Sequence, residues 1–565
     1  MNITRLTDLT LGNFQSIKNR TTIPIRPLTI LVGPNSAGKS CVYDALDIFE
    51  LLFIEKSRDD YKLETLLKKW ARLEKSNEKG FDPDLFYDTR NILLGLTIEI
   101  NKDEENEDWE SSEGSHLIYS FFEPKGKTII EVEYEAEVGV NTFITAFNVK
   151  VNGENFIKAS TETLPKLTND QLQLFNKNVT IYESHIVEYF GDPFKTKENN
   201  DFANFEIKKE ANCFSMLKLK HFSEDGNVHP ESFIDFDTDH MNRVEYDFLK
   251  IYKTILKCIS GHINSAILSS LPKVEASRSI PSVEENIYFF NGKVDEIDYL
   301  YGRHLDLAKK TAWTDAQNEY ANIESKINKN TNPHWQWLTY AFTLKKLIEL
   351  TDYMEKNDHS KYTGDQTLKI TEKINYYLSH ELFKDTGYVL VANVNVLVQN
   401  ELDVSSLSYK TGALAKLYLT NANGIKQDFQ DVGSGIGYVI PVLCSLLGVG
   451  LAKIQQPELH IHPSLQSAIG DVCVDAISNN SIKQIIVETH SEHFILRILR
   501  LIRESAKNPL LNQITADDVS VLYFKPDIES LSTKIMHLRV SEDGSFVDEW
   551  PHGFFMERYR DIFDE

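Results

Sequence analysis

The chain switches repeatedly between two hydrophobic periods. Leu28-Thr29-Ile30-Leu31-Val32 is an apolar, β-branched run, the pattern of a strand buried on both faces. Cys41 to Phe53 then carries apolar residues at helical spacing and predicts a helix. Ahead of both, Leu9-Thr10-Leu11 and Thr22-Ile23-Pro24-Ile25 flank a turn-rich Gly12 to Lys18 and predict a β-hairpin. Residues 56–80 read as a highly charged helix. Residues 91–158 read as a β-meander over Ile92 to Ile100, His116 to Phe122, Thr128 to Tyr134 and Phe143 to Val151. From 200 to 385 the chain is rich in Lys, Glu, Asn and Tyr, poor in glycine and mostly helical, with no heptad run long enough for an extended coiled coil. Strands return over 387–420, most clearly at Tyr388 to Val398, and from 428 onward the pattern is α/β, closing with strands at Val519 to Phe524 and Ser532 to Leu538. No internal repeat is evident. The expected organisation is an N-terminal lobe over 1–160, a mainly helical insertion over 161–386 and a C-terminal lobe over 387–565.

Composition narrows the class. A chain of 565 residues is too long for one core, so several domains are expected. Its 41% hydrophobic and 25% charged residues are those of a soluble globular protein. No apolar run approaches the length of a transmembrane helix, and the first residues, Met-Asn-Ile-Thr-Arg-Leu-Thr-Asp, predict no secretory signal. Cys41, Cys213, Cys258, Cys444 and Cys473 lack metal-site spacing and fit a reducing, cytoplasmic setting without disulfides. The net charge of −24 argues against a generally basic nucleic-acid surface. Arg497, Arg500 and Arg503 recur at a spacing that shares one helix face. That face would meet a phosphate backbone or an acidic partner, or be plain solvated surface.

The candidate chemistry lies between the predicted strand and helix. Residues 33–40 read Gly-Pro-Asn-Ser-Ala-Gly-Lys-Ser, a complete GxxxxGK[ST] phosphate-binding loop in its required strand–loop–helix context. Asn35, Ser36, Ala37 and Gly38 would turn backbone N–H groups toward an anion, Lys39 would reach the β- and γ-phosphates of ATP, and the Ser40 hydroxyl would hold Mg²⁺. Three later segments add to it. Asp431 to Leu443 opens an apolar helix with Gly433-Ser434-Gly435, so a positive helix end faces whatever lies in front, although a plain helix cap reads the same way. Leu451 to Pro463 is a short strand ending in Gln455, Gln456 and Glu458, where a Mg²⁺ ligand and a water-positioning group are needed; Glu458 also reads as a helix-start residue. Gln484 to Ser491 is a strand delivering His490 at its C-terminal end, where α/β sheets place ligands.

Together these segments resemble the ABC-type ATPase head of SMC proteins and their break-repair relatives, and within it the OLD-like group of prokaryotic ATPases. Asn13-Phe14-Gln15-Ser16-Ile17 and Gly33 to Ser40 match its N-terminal lobe, and Asp431 to Leu443 its signature segment. Gln456-Pro457-Glu458-Leu459-His460-Ile461-His462-Pro463 matches its Walker B motif, Glu488-Thr489-His490-Ser491-Glu492 its switch-histidine segment, and Glu549 to Phe555 with Arg558 one subgroup's C-terminal extension. The resemblance covers roughly 1–55 and 425–565 and leaves the middle of the chain without a motif. It implies an α/β fold, ATP and Mg²⁺ as cofactors, and head-to-tail homo-oligomers in which Ser434, Gly435 and Gly437 of one protomer cover the γ-phosphate held by the loop of the other.

One departure bears on turnover. The family pattern has an acidic residue where this chain has Gln455, and Glu or Gln where it has Gln456. A neutral amide is no carboxylate base and a poor Mg²⁺ partner. Either the chain hydrolyses slowly and uses ATP mainly as a structural ligand, or position 455 carries an acid-to-amide change that traps ATP.

The family's nucleases add a TOPRIM module, and the stretch of about 70 residues after Leu496 is short for a separate domain of that kind. Architecture and length resemble instead the Septu arrangement, in which a PtuA-like ATPase assembles with an HNH-nuclease partner in anti-phage defence. The resemblance therefore implies an effector nuclease as partner, with nucleic acid met through the complex and no membrane. Two other readings compete. A DNA-repair or recombination ATPase of the RecF or SMC-like kind would need a basic groove or long coiled-coil arms. A transporter nucleotide-binding subunit would lack the large insertion.

Overall fold

The computed structural model describes residues 2–53, 90–102, 126–138, 143–160, 179–181, 204–207, 217–220, 259, 261–267, 271–278, 280, 287–291, 333–350, 364–397, 412–448, 450–480, 483–508, 513–530 and 532–550. The expected helix at 56–80, the strand at His116 to Phe122, Cys213, Cys258 and the tail from 551 onward lie outside them. Two compact units divide the chain, one built from Met1–Arg26, Gly33–Leu268 and Tyr523–Met536, the other from Pro27–Val32, Ser269–Leu522 and His537–Glu565.

The first unit is organised by an antiparallel sheet. Strand β1 (Asn2–Gly12) pairs with β2 (Thr21–Pro24) as the hairpin pattern predicts, and on its other side with β4 (Arg90–Lys102). A bulge between Leu6 and Asp8 shifts the register by one residue. It lets Thr4 and Leu6, then Leu9 and Leu11, all be buried although their sequence parity changes. The meander continues through β5 (Gly126–Val138), β6 (Phe143–Val151), β7 (Glu154–Ser160) and β8 (Val179–Ile181). Ile92, Leu94, Leu96, Ile98 and Ile100 alternate inward on β4, as do Ile130, Val132 and Tyr134 on β5. The helix α1 (Cys41–Phe53) buries Val42, Tyr43, Leu46 and Phe49, and the Phe49 ring meets that of Tyr134 at 6.2 Å between centroids. A short hairpin, β9 (Asn204–Ile207) with β10 (Leu217–Lys220), also belongs here.

The second unit holds a parallel sheet assembled from both ends of the chain. The strand β3 (Leu28–Val32), buried at every position, pairs in parallel with β16 (Gln484–Glu488), which pairs in parallel with β15 (Leu451–Gln455). On its other side β3 neighbours β17 (Val519–Asp527), whose far half continues into the first unit beside β18 (Ser532–Leu538). Three helices follow the α/β pattern: α4 (Ser434–Leu447), α5 (Pro463–Ser478) and α6 (Glu492–Lys507). In α6, Phe494, Ile495, Ile498, Leu499 and Ile502 form the inner face, each contributing about 1.5–3 kcal/mol by burial.

The arginines of its outer face have partners within the chain: Arg497 with Asp471 at 2.8 Å, Arg500 with Glu504 at 2.6 Å, and Arg503 with the carbonyls of Asp543 and Gly544. That engagement favours solvated structural surface over a phosphate-binding face.

The same unit carries an antiparallel sheet of β11 (Ile287–Asn291), β13 (Gly412–Thr420), β12 (Val389–Leu397) and β14 (Lys426–Gln427). With it pack α2 (Pro333–Leu350) and α3 (Gly364–Tyr376), the latter running on into a π-helical turn at Tyr377–Leu382. The fold is therefore α/β, with N- and C-terminal segments sharing one sheet. The expected helical insertion, 161–386, contains α2 and α3 among its described residues. The described part of that region also has the strands β8, β9, β10 and β11. The last is an Ile-Tyr-Phe-Phe run whose β-branched and aromatic side chains suit a pleated surface better than a helix. Cys41, Cys444 and Cys473 are buried free thiols. Among the described residues no helix is long and apolar enough to cross a membrane.

Candidate functional site

Candidate residues lie in each unit, and each set is built within its own unit. The glycine loop belongs to the first unit, and β3 leads directly into it. Gly33 has φ +138° and Gly38 φ +87°, conformations that side-chain-bearing residues rarely adopt. A Cβ on Gly33 would lie 2.5 Å from the Phe524 carbonyl oxygen, and one on Gly38 1.8 Å from Ser16 Oγ. Both glycines are thus required by close approach as well as by turn geometry. Ser36 is also left-handed, at φ 62°. Asn35 and Ser36 are exposed, Ala37 and Lys39 buried, and Gly38 and Ser40 half-buried. The Lys39 ammonium donates to the carbonyls of Gly33 at 3.1 Å and Pro34 at 2.9 Å. Thr533 clamps the loop from β18: its Oγ1 donates to Ala37 O at 2.8 Å and its N–H to Ser16 O at 2.8 Å. Gln15, at the hairpin tip, donates to Asp44 of α1 at 2.6 Å. The Asn13–Ile17 tip therefore braces the loop and the start of its helix.

In the second unit, β15 and β16 end in register, with Gln455 opposite Glu488. The Gln455 amide donates to the Glu488 carboxylate at 3.4 Å. Gln456 turns the chain at φ +43°, its N–H donating to Glu488 O at 2.7 Å. Glu458 does not start a helix; α5 begins at Pro463, capped by His462. The Glu458 carboxylate instead accepts from Thr489 Oγ1 at 2.8 Å and from the His490 backbone N–H at 2.7 Å, locking the turn after β15 to the segment after β16. Burial pushes its pKa up, opposed by these hydrogen bonds and by Arg278. Gln466 extends the link by donating to Ile461 O and accepting from Ser491 Oγ at 2.6 Å, while Ser491 caps α6. His460 meets the Tyr438 ring of α4 at 4.8 Å. Most of the distinctive residues of Gln456–Pro463 are thus used in building the turn.

At the start of α4, Ser434 is exposed and Gly435 half-exposed, with only ordinary contacts waiting for a Cβ at 435. Gly437 differs. It is buried, and a Cβ there would lie 2.5 Å from Ile280 Cγ1. Lys483 closes the far end of α4, donating to Ser445 O at 2.8 Å and Gly448 O at 2.6 Å, and its burial pulls its pKa down to about 7.

A family model described as "AAA ATPase domain" matches residues 5–495. The chain belongs to this family. The match spans the glycine loop, the turn after β15 and His490, so both sets of candidate residues fall inside the AAA ATPase domain. No curated protein sequence matches. Among solved structures, the chain is similar to the Smc head domain with an extended coiled coil bound to the C-terminal domain of ScpA, from Pyrococcus furiosus. The identity is 12%, the TM-score 0.34, and coverage 100% of this chain and 99% of that one. It is also similar to the SMC head domain from Thermotoga maritima, at 9% identity, TM-score 0.31, and coverage of 95% and 100%.

Sequence reasoning missed Arg278, Thr489, Gln466, Thr533 and Lys483. Thr489 lay inside a quoted motif. The other four are single polar residues in apolar or irregular surroundings and leave no periodic or motif signal.

Proposed function

We propose that this AAA ATPase domain binds ATP with Mg²⁺ at Gly33–Ser40 and works as an ABC-type head of the OLD-like kind. Its heads associate head to tail and gate a separate effector nuclease in anti-phage defence. The observation carrying the reading is the loop itself: two glycines whose missing Cβ atoms leave room only for backbone, at the N-terminal end of α1, beyond a strand in a parallel sheet. These residues fit a triphosphate. Lys39 would exchange its carbonyl partners for phosphate oxygens, and the backbone of 35–40 would supply N–H donors. Ser40 and Gln455 would hold Mg²⁺, with the Glu488 carboxylate against Gln455; when bound, the ion supplies neutralisation of the phosphate charge.

The remaining roles fall to the chain's own groups. Gln456 and His490 would orient the attacking water and answer to the γ-phosphate. The exposed Ser434 and Gly435 would close the cage of a second copy. Gly437 serves closeness within its own chain, since Ile280 fills the space beside it. Control of an HNH-type nuclease, with nucleic acid met through the complex, rests on the resemblance to Septu ATPases.

Calorimetry on Lys39→Ala tests the central step. Loss of the charge-assisted contact is expected to weaken ATP binding by about 10–100-fold or more. Unchanged affinity overturns the reading.

A further inference from the structure

Residues 271–278 cross the open edge of the parallel sheet. The Val274 N–H donates to Lys453 O at 2.8 Å, and Val274 O accepts from Gln455 N at 2.9 Å, so one residue extends the sheet beyond β15 in the parallel sense. The segment is pinned at Pro272 O by the buried His334 of α2, 3.1 Å away. Four residues after Val274 comes Arg278, 7% exposed. Its Nη2 donates to Gln456 O at 3.0 Å, and its guanidinium carbon lies 5.8 Å from the centre of the Tyr438 ring. Its Nε and Nη1 have no acceptor among the described residues. A buried guanidinium left partly unpaired is costly, and one held so is held for position or function.

Two further facts tighten the contact. Gln456 keeps φ +43°, a conformation that persists in a side-chain-bearing residue only where the surroundings over-determine it. Arg278 and Glu488 grip its carbonyl and its N–H respectively. Ile280, two residues beyond Arg278, packs where Gly437 leaves no room for a Cβ, so the first turns of α4 and this segment have no slack between them.

We propose that Arg278 is a positioning residue that holds the left-handed Gln456 turn and ties it to Tyr438 on α4, so that a shift of the signature helix is felt at the turn. The inference rests on reading Gln456 and α4 as parts of the nucleotide site. Lysine cannot replace it, because a point charge cannot bond Gln456 O and also lie across the Tyr438 ring.

The test uses the full chain with Arg278→Met, Arg278→Lys, Tyr438→Leu and the Arg278→Met/Tyr438→Leu double variant. By calorimetry, ATP affinity should stay within about threefold of the parent in all four, while Lys39→Ala loses it. A failure of the nucleotide reading would show in Lys39→Ala alone. Hydrogen exchange should rise about tenfold or more in peptides covering both 455–461 and 434–440, in the Met and Lys variants alike, with 494–502 unchanged. In the Gln455→Glu background, single-turnover hydrolysis at saturating ATP should fall about 10–100-fold with half-saturation unmoved, and the double variant should be no slower than the slower single. Exchange confined to 455–461, additive single effects, or an Arg278→Lys chain that behaves as the parent would each overturn the proposal. Should Arg278→Met fail to melt cooperatively, Arg278→Lys, which keeps the buried charge, carries the same readouts.

Discussion

Gln455 stands 3.4 Å from a carboxylate yet carries none, and this juxtaposition sets what its replacement should do. Restoring an acid by Gln455→Glu would place two carboxylates side by side at the ends of β15 and β16. Like charges so close raise one pKa and are relieved by a divalent cation. If the amide is the brake, Gln455→Glu should raise ATP turnover by about 10²–10⁴-fold, the usual worth of a missing acid–base group, measured by phosphate release with Mg²⁺ present. Turnover near ~1 s⁻¹ in the chain as it stands would instead show that 455 is no brake. The loop residues were legible in the sequence because a phosphate cradle needs glycines at fixed offsets. Glu458 was legible as a carboxylate but not as a lock, because its partners, Thr489 and His490, come from another strand. Arg278 was illegible: nothing around a lone arginine announces that it will be buried against a turn at 456.

The elements were easier to read than their partners. Leu28–Val32 and Cys41–Phe53 coincide with their patterns because each is a sustained run at one period, bounded by glycine or turn residues. The same run of five buried residues says that β3 has neighbours on both sides and both faces but not which ones, since periodicity is a local property. His334, at the first turn of α2, carries a consequence at this scale. Burial, with a contribution from the Arg278 charge, lowers its pKa to about 4, against the bond to Pro272 O. The folded state therefore releases a proton that the unfolded chain keeps at acid pH. The stability associated with the neutral ring is complete above about pH 6.5 and is lost progressively as pH falls toward 4, by up to about 3 kcal/mol. His334→Asn should lower stability at neutral pH yet flatten the dependence between pH 6.5 and 4 relative to the parent, read from urea midpoints across that range. Parallel curves for the two chains would contradict the assignment.

For the whole molecule, the proposed function makes the exposed start of α4 and the glycine loop each half of a phosphate cage. If they meet in different copies, association must be linked to nucleotide, because ligand that binds the associated form preferentially stabilises it by mass action. Mg-ATP should raise the mass measured by light scattering, and Ser434→Arg should block that rise while leaving ATP binding by the loop intact. A Ser434→Arg chain that associates normally would make 431–443 an ordinary capped helix. The sheet itself has a consequence for how the protein is made. Leu31 pairs with Glu488, and the other neighbour of β3 is later still. During synthesis at about 5–20 residues per second, β3 leaves the ribosome roughly 20–90 s before either neighbour exists. Through that interval an apolar strand and the loop behind it wait without their sheet, so a chain stalled before β16 holds the whole Gly33–Ser40 motif without the strands that flank β3. On the proposed function, nucleotide binding then awaits translation through β16 and β17, and the waiting strand is where a chaperone would be needed most.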